Sequence, residues 1–138
     1  GRILGKEDVM KRTGLLNAEL GGALGRLGHT DLIVIGDCGL PRPAGVPVID
    51  LAVVFGVPTF EQVVRAVLGE IVVEQATLAT EAEERNPRVP ALVGALVGDL
   101  VSVPHEELKR AMAGAVLFVR TGEATPYANV MLRCGVPF

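Results

Sequence analysis

Short β-branched apolar runs alternate with helix-period stretches along most of this chain, and that alternation restricts its fold more than any single motif. Leu32–Ile35, Val48–Phe55, a segment within Ile71–Ala79, Leu100–Val103, Val116–Val119 and Asn129–Leu132 read as strands. Between them lie helices with recognisable starts. Asn17 is an N-cap, followed by Leu20, Leu24 and Leu27 at helical spacing and by Gly28, suited to a left-handed C-terminal cap. Thr59 and Gln62 make a capping box ahead of a helix with Phe60, Val63, Val64, Val67 and Leu68 on one face. Asn86-Pro87 reads as an N-cap with proline at the first helical position, opening a helix that buries Leu92, Ala95 and Leu96. Pro104-His105-Glu106-Glu107 starts a last helix through Met112. Parallel neighbours require helical crossovers, so the alternation predicts one three-layer α/β/α domain with a largely parallel or mixed sheet of about six strands.

Composition supports this reading. The chain is rich in Val, Leu, Ala and Gly and has one tyrosine and no tryptophan, which suits strands buried on both faces. Its 138 residues fit a single domain, able to bury roughly two-thirds of the surface an unfolded chain exposes. The domain is expected over residues 10–138. Residues 1–9 carry no periodicity and precede Met10, an alternative start, so they read as an N-terminal extension. No apolar run approaches the ~20 residues of a membrane span, and the N-terminus lacks the apolar core of a secretion signal. A soluble, cytoplasmic protein is therefore expected. A net charge of −3 leaves no basic stripe for nucleic acid. Cys38 and Cys134 are too far apart for a CxxC site, two histidines exclude a histidine-rich metal centre, and neither GxGxxG nor a Walker A loop is present.

The polar residues that could carry chemistry are few. His29 lies just beyond the first helix, where the helix end favours an imidazolium; it reads as a general acid or as a capping histidine. Asp37 follows the first strand between Gly36 and Gly39 and can accept sugar hydroxyls or satisfy turn amides. His105 begins a helix beside Glu106 and Glu107, as a second polar contact or a solvated first-turn residue. The acidic residues Glu81, Glu83 and Glu84 read as a solvated face. The segment Arg120–Asn129 is turn-rich and presents Tyr127 and Asn129, which can both donate and accept without net charge, as a hydroxyl-rich ligand requires. It can equally be a hairpin-like connection whose tyrosine caps the core. In open sheets, ligands bind outside the carboxyl ends of strands, where Asp37, Tyr127 and Asn129 fall.

The ordered motifs KRTGLLNAEL, LGHTD, IVIGDCGLP, DLA, GVPTF, PHEELK and RTGEATPYANVMLRCGV together resemble the D-ribose pyranase family, relatives of the fucose mutarotases. The resemblance covers Met10 to Phe138, and GLP and TPYAN match its ribose-type branch. It implies an intramolecular isomerase, active without cofactor or metal, that converts D-ribopyranose to D-ribofuranose, the form a ribokinase phosphorylates. It also implies that His29 is the catalytic acid and that Asp37, His105, Tyr127, the Ala128 backbone and Asn129 hold the sugar. Members form ring-shaped homo-oligomers, so a site near subunit contacts is expected. Cys38 and Ala124 depart from the family pattern without touching these groups. Competing readings are a non-catalytic sugar-binding or regulatory subunit, a mutarotase of a related monosaccharide such as fucose, and a flavodoxin-like nucleotide binder, which would lack a phosphate loop.

Overall fold

The computed structural model describes residues 10–138; the extension expected over residues 1–9 lies outside the described residues. The elements follow the order α1 (Ala18–Gly25), β1 (Leu32–Gly36), β2 (Val48–Asp50), α2 (Phe60–Leu68), β3 (Val73–Ala79), α3 (Ala82–Arg85), α4 (Arg88–Leu96), β4 (Leu100–Val103), α5 (His105–Ala111), β5 (Leu117–Arg120) and β6 (Val130–Cys134). A 3₁₀ turn, Met112–Gly114, extends α5. None of the described helices is long and apolar enough to cross a membrane.

The six strands form one sheet in the order β2-β5-β1-β6-β3-β4. Pairs β2–β5, β5–β1 and β3–β4 are parallel, whereas β6 runs antiparallel to both of its neighbours, β1 and β3. The sheet is thus mixed, with its one reversed strand at the centre. Alternation along the strands separates two cores, since successive side chains point to opposite faces. Ile33, Ile35, Leu78, Leu117, Val119, Val130 and Leu132 pack under α1, α2 and α4. Val34, Ala79, Phe118 and Met131 face the other way, against Leu108 of α5, Met112 and Leu40 of the loop after β1. The second outer layer is therefore one helix plus an ordered, proline-rich loop. Prolines at 41, 43 and 47 keep that loop out of helix and sheet, and Leu40 pins it down at 6% exposure.

Helix starts follow the sequence closely. Asn17 Oδ1 accepts the Leu20 amide at 2.8 Å. Thr59 Oγ1 accepts from the Gln62 amide while Gln62 Oε1 accepts from Thr59, closing the capping box. Phe60, Val63, Val64 and Val67 are buried, each contributing about 1.5–3 kcal/mol relative to exposure.

Four local expectations are corrected. The second strand stops at Asp50 and not Phe55, because the chain folds back on itself through a Val54–Val57 bridge with Gly56 at φ 86°; Val53, Val54 and Phe55 are exposed. The first helix ends at Gly25 with a right-handed cap at Arg26. Gly28 gives its amide to Asp31 Oδ2 at 2.8 Å, and the left-handed residue is Thr30, φ 70°. Helix α4 buries Val89 and Val93, followed by Val97, an i, i+4 stripe, whereas Ala95 and Leu96 face outward. Asn86 does not cap that helix: Pro87 holds the cap position without a side-chain bond, and the Asn86 side chain is engaged elsewhere.

Candidate active site

β1 exits the sheet at Gly36, and the segment joining β5 to β6 must cross that exit, because β1 lies between those two strands. The connection is consequently not a hairpin. It carries Tyr127, Ala128 and Asn129 to the rim where β1 delivers Asp37. Asn129 is buried, and its Oδ1 accepts the Asp37 amide at 3.0 Å. Gly36 permits that approach: a Cβ there would lie 2.7 Å from Leu40 Cδ2 and 3.3 Å from Asn129 Oδ1. Ala128 is fully buried in the larger core. Tyr127 adopts φ 57°, a region that disfavours side-chain-bearing residues, so its loop must hold it there.

The holding groups were not legible as such in the sequence. Asn86 Nδ2 donates to Thr125 Oγ1 at 2.9 Å and to the Pro126 carbonyl at 2.8 Å. Thr125 Oγ1 donates to Glu123 Oε2, and Glu123 Oε1 accepts the Phe60 amide at the start of α2. Thr121 Oγ1 donates to the Gly36 carbonyl at 2.8 Å. Arg120 donates twice to the Cys38 carbonyl and pairs with Asp50. The loop bearing Tyr127 is thus tied to β1, α2 and the turn before α4. Asn86 precedes a proline and so mimics a helix cap; Glu123 stands within the recognisable RTGEATPYAN block.

His105 arrives at the same rim from the end of β4. Its ring meets Tyr127 edge-on, centroids 5.1 Å apart at 87°. Glu81, expected on a solvated face, instead accepts the His105 amide through both carboxylate oxygens, at 3.0 and 3.2 Å. That carboxylate supplies the cap that Pro104 cannot, fixing the backbone from which the imidazole projects. Among the described residues, His105 Nδ1 is buried without a hydrogen-bond partner, which is uncommon for a buried polar atom.

Asp37 is half-buried, and burial pushes its carboxyl above the usual carboxylate range, opposed by the Gly39 amide, the Asn129 side chain, the Leu40 amide and the charge of His105. Its Oδ1 accepts the Gly39 amide at 2.9 Å, so turn formation and an available carboxylate coexist. A cleft of about 310 Å³ opens beside it, bordered by Phe55, Glu123, Thr125 and Pro126. Asp37, His105, Tyr127 and Asn129 thus present a carboxylate, an imidazole, a phenol and an amide to one rim, a set suited to hydroxyl groups.

His29 is elsewhere. It precedes β1, whereas Asp37 follows it, so the two stand at opposite ends of the sheet. The Thr30 amide donates to the Cys134 carbonyl at 2.8 Å, and His29 Nε2 faces Glu74 Oε2 at 3.2 Å. A cavity of about 300 Å³ lies next to it, lined by Leu27, Ile71, Val72, Cys134 and Val136 among others. Within one chain, all the expected sugar contacts converge and the expected acid does not join them.

Known proteins resemble this chain over nearly its whole length. D-ribose pyranase 1 of Rubrobacter xylanophilus is 56% identical over 129 residues, covering 94% of this chain and 100% of the relative. D-ribose pyranase of Streptomyces coelicolor is 55% identical with the same coverage. Among solved structures, Bacillus subtilis RbsD complexed with D-ribose matches with a TM-score of 0.88 and 40% identity, over 94% of this chain and 100% of that one. The fucose mutarotase of Streptococcus pneumoniae in complex with L-fucose shares the fold at a TM-score of 0.73 and 19% identity, over 88% and 94% of the two chains. Residues 10–137 match the RbsD / FucU transport protein family, and the chain belongs to that family.

Proposed function

We propose that this protein is an isomerase that interconverts the pyranose and furanose ring forms of D-ribose. The observation that carries the reading is the full-length identity of 50–56% to curated D-ribose pyranases. The convergence of Asp37, His105, Tyr127 and Asn129 at the carboxyl rim supports the same substrate class, since each group bonds hydroxyls.

The reaction needs proton transfers alone. A proton goes to the ring oxygen as the C1–O5 bond breaks, and the C1 hydroxyl gives up its proton, leaving a free aldehyde. After rotation about the chain the C4 hydroxyl adds to C1, and the transfers run in reverse. No electron pair leaves the sugar. In this reading His29 donates the proton, a service typically worth about 10² to 10⁴ in rate. Asp37, His105, Tyr127, the Ala128 backbone and Asn129 hold the sugar.

The position of His29 supports a site shared between two copies. One chain brings the sugar-holding rim, and the neighbour brings its His29 end. A ring of identical subunits repeats one such heterologous contact at every junction. This reading puts the protein in the cytoplasm, where a kinase can consume the furanose.

The test is NMR exchange spectroscopy on equilibrated D-ribose. Added protein should accelerate magnetisation transfer between pyranose and furanose signals. Binding without acceleration would make it a sugar-binding subunit instead.

A further inference from the structure

Among the described residues, His29 has one polar side chain within hydrogen-bond reach, and that side chain is itself clamped. Glu74, on β3, divides its carboxylate: Oε2 faces His29 Nε2 at 3.2 Å, and Oε1 accepts from Arg133 Nε of β6 at 2.7 Å. The pairing of β3 with β6 sets Arg133 opposite Gln75, and Arg133 Nη1 also reaches Gln75 Oε1 at 3.4 Å. Gln75 in turn donates to Asp99 at 3.1 Å. The guanidinium therefore fixes which way Glu74 points. Two nearby carboxylates are engaged with backbone amides. Asp31 Oδ2 accepts the Gly28 amide, and Glu70 Oε1 accepts the Leu15 amide. The Cys134 thiol is pushed up by burial, then by Asp31 and Glu74, and stays neutral.

A carboxylate only accepts, so the imidazole nitrogen that faces it must carry hydrogen. The other nitrogen is then left for the sugar. We infer that Glu74 is the positioning residue of His29: it holds the ring with Nε2–H turned inward, so that the proton exchanged with the sugar is the one on Nδ1. This rests on the reading of His29 as proton donor. Glu74 itself is held below the usual carboxylate range by His29 first and Arg133 second. It therefore remains an acceptor wherever a histidine changes charge.

The test combines ¹⁵N-histidine NMR with ring-exchange kinetics on wild type, Glu74→Gln, Glu74→Ala and His29→Ala. Above pH ~8, where an ordinary histidine is neutral, wild-type His29 should be in the Nε2–H tautomer. Glu74→Ala should mix the tautomers and lower kcat about 10-fold or more, part of what a general acid supplies, with KM changed less than about twofold. Glu74→Gln, whose amide oxygen still accepts, should restore part of both signals. An Nδ1–H tautomer in wild type overturns the inference even if Glu74→Ala does not fold. So does wild-type kcat in a folded Glu74→Ala protein when His29→Ala is inactive. Full exchange activity in His29→Ala would instead remove the donor role of His29, leaving the tautomer result to stand by itself.

Discussion

His29 and Asp37 are separated by the whole of β1, which at about 3.3 Å per residue places them roughly 15 Å or more apart. A proton cannot pass directly over that distance. If both serve one sugar, they come from different chains. Mixing His29→Ala with Tyr127→Ala protein, each inactive alone, then dissociating and reassociating them, should restore part of the exchange activity. Persistent inactivity in verified mixed oligomers would locate the site within one chain.

His29→Ala should abolish the acceleration of ring exchange and leave ribose affinity measurable, because the lost step is proton delivery. Titration calorimetry and exchange spectroscopy on the same sample separate the two. Loss of both would make His29 a binding residue.

Asp37→Asn should weaken ribose binding roughly 10- to 150-fold, the equivalent of about 1.5–3 kcal/mol for one charged hydrogen bond. The same change should raise thermal stability at neutral pH. The folded carboxyl lies above its ordinary value of 3.8, so the folded state binds the proton more tightly than the unfolded one. Stability is accordingly lost as pH rises from that ordinary value through the raised one, and the penalty is full above both. Removing the charge removes the penalty. Melting curves of the two proteins should diverge at pH 7 and converge below 3.8; a lower melting temperature for Asp37→Asn at pH 7 would contradict this.

Gly36→Ala should disturb Asn129 directly, since the added methyl meets both Leu40 and the Asn129 amide. The expected cost is about 1–3 kcal/mol of overpacking together with weakened ribose binding. Denaturant titration and calorimetry check the two effects.

Asn86→Ala removes both bonds to the Tyr127 loop and leaves the Pro126 carbonyl without its donor. A loss of about 1–3 kcal/mol in unfolding free energy is expected, with a raised KM for ribose. Unchanged KM would mean that the loop keeps its shape without this clamp.

The sequence made the elements legible where local signals act alone. Asn17 and the Thr59–Gln62 box work within one turn of chain, so they read correctly. The stripe of α4 did so only in part: Leu92 packs against the core at half burial, but Ala95 and Leu96 offer a helical face as good as Val89, Val93 and Val97, and only the tertiary surface chooses between them. The rim contacts Asp37, Tyr127 and Asn129 were visible as polar residues at strand ends. The central, reversed position of β6 was not visible, since an apolar run carries no direction. Nor was Glu74, whose partners His29 and Arg133 lie 45 and 59 residues away.

The reversed strand is also the seam that makes one sheet of two. β6 follows every other strand along the chain, yet it sits between β1 and β3. Without it, β2-β5-β1 and β3-β4 share no strand pairing, and each would present an open edge of the kind that recruits stray strands. Joining them requires pairings over long sequence separations, such as Ile33 with Leu132, which slows folding. The pairing that closes both edges also brings Asn129 to Asp37, so the contact between these two residues and the complete sheet belong to one and the same arrangement of the chain.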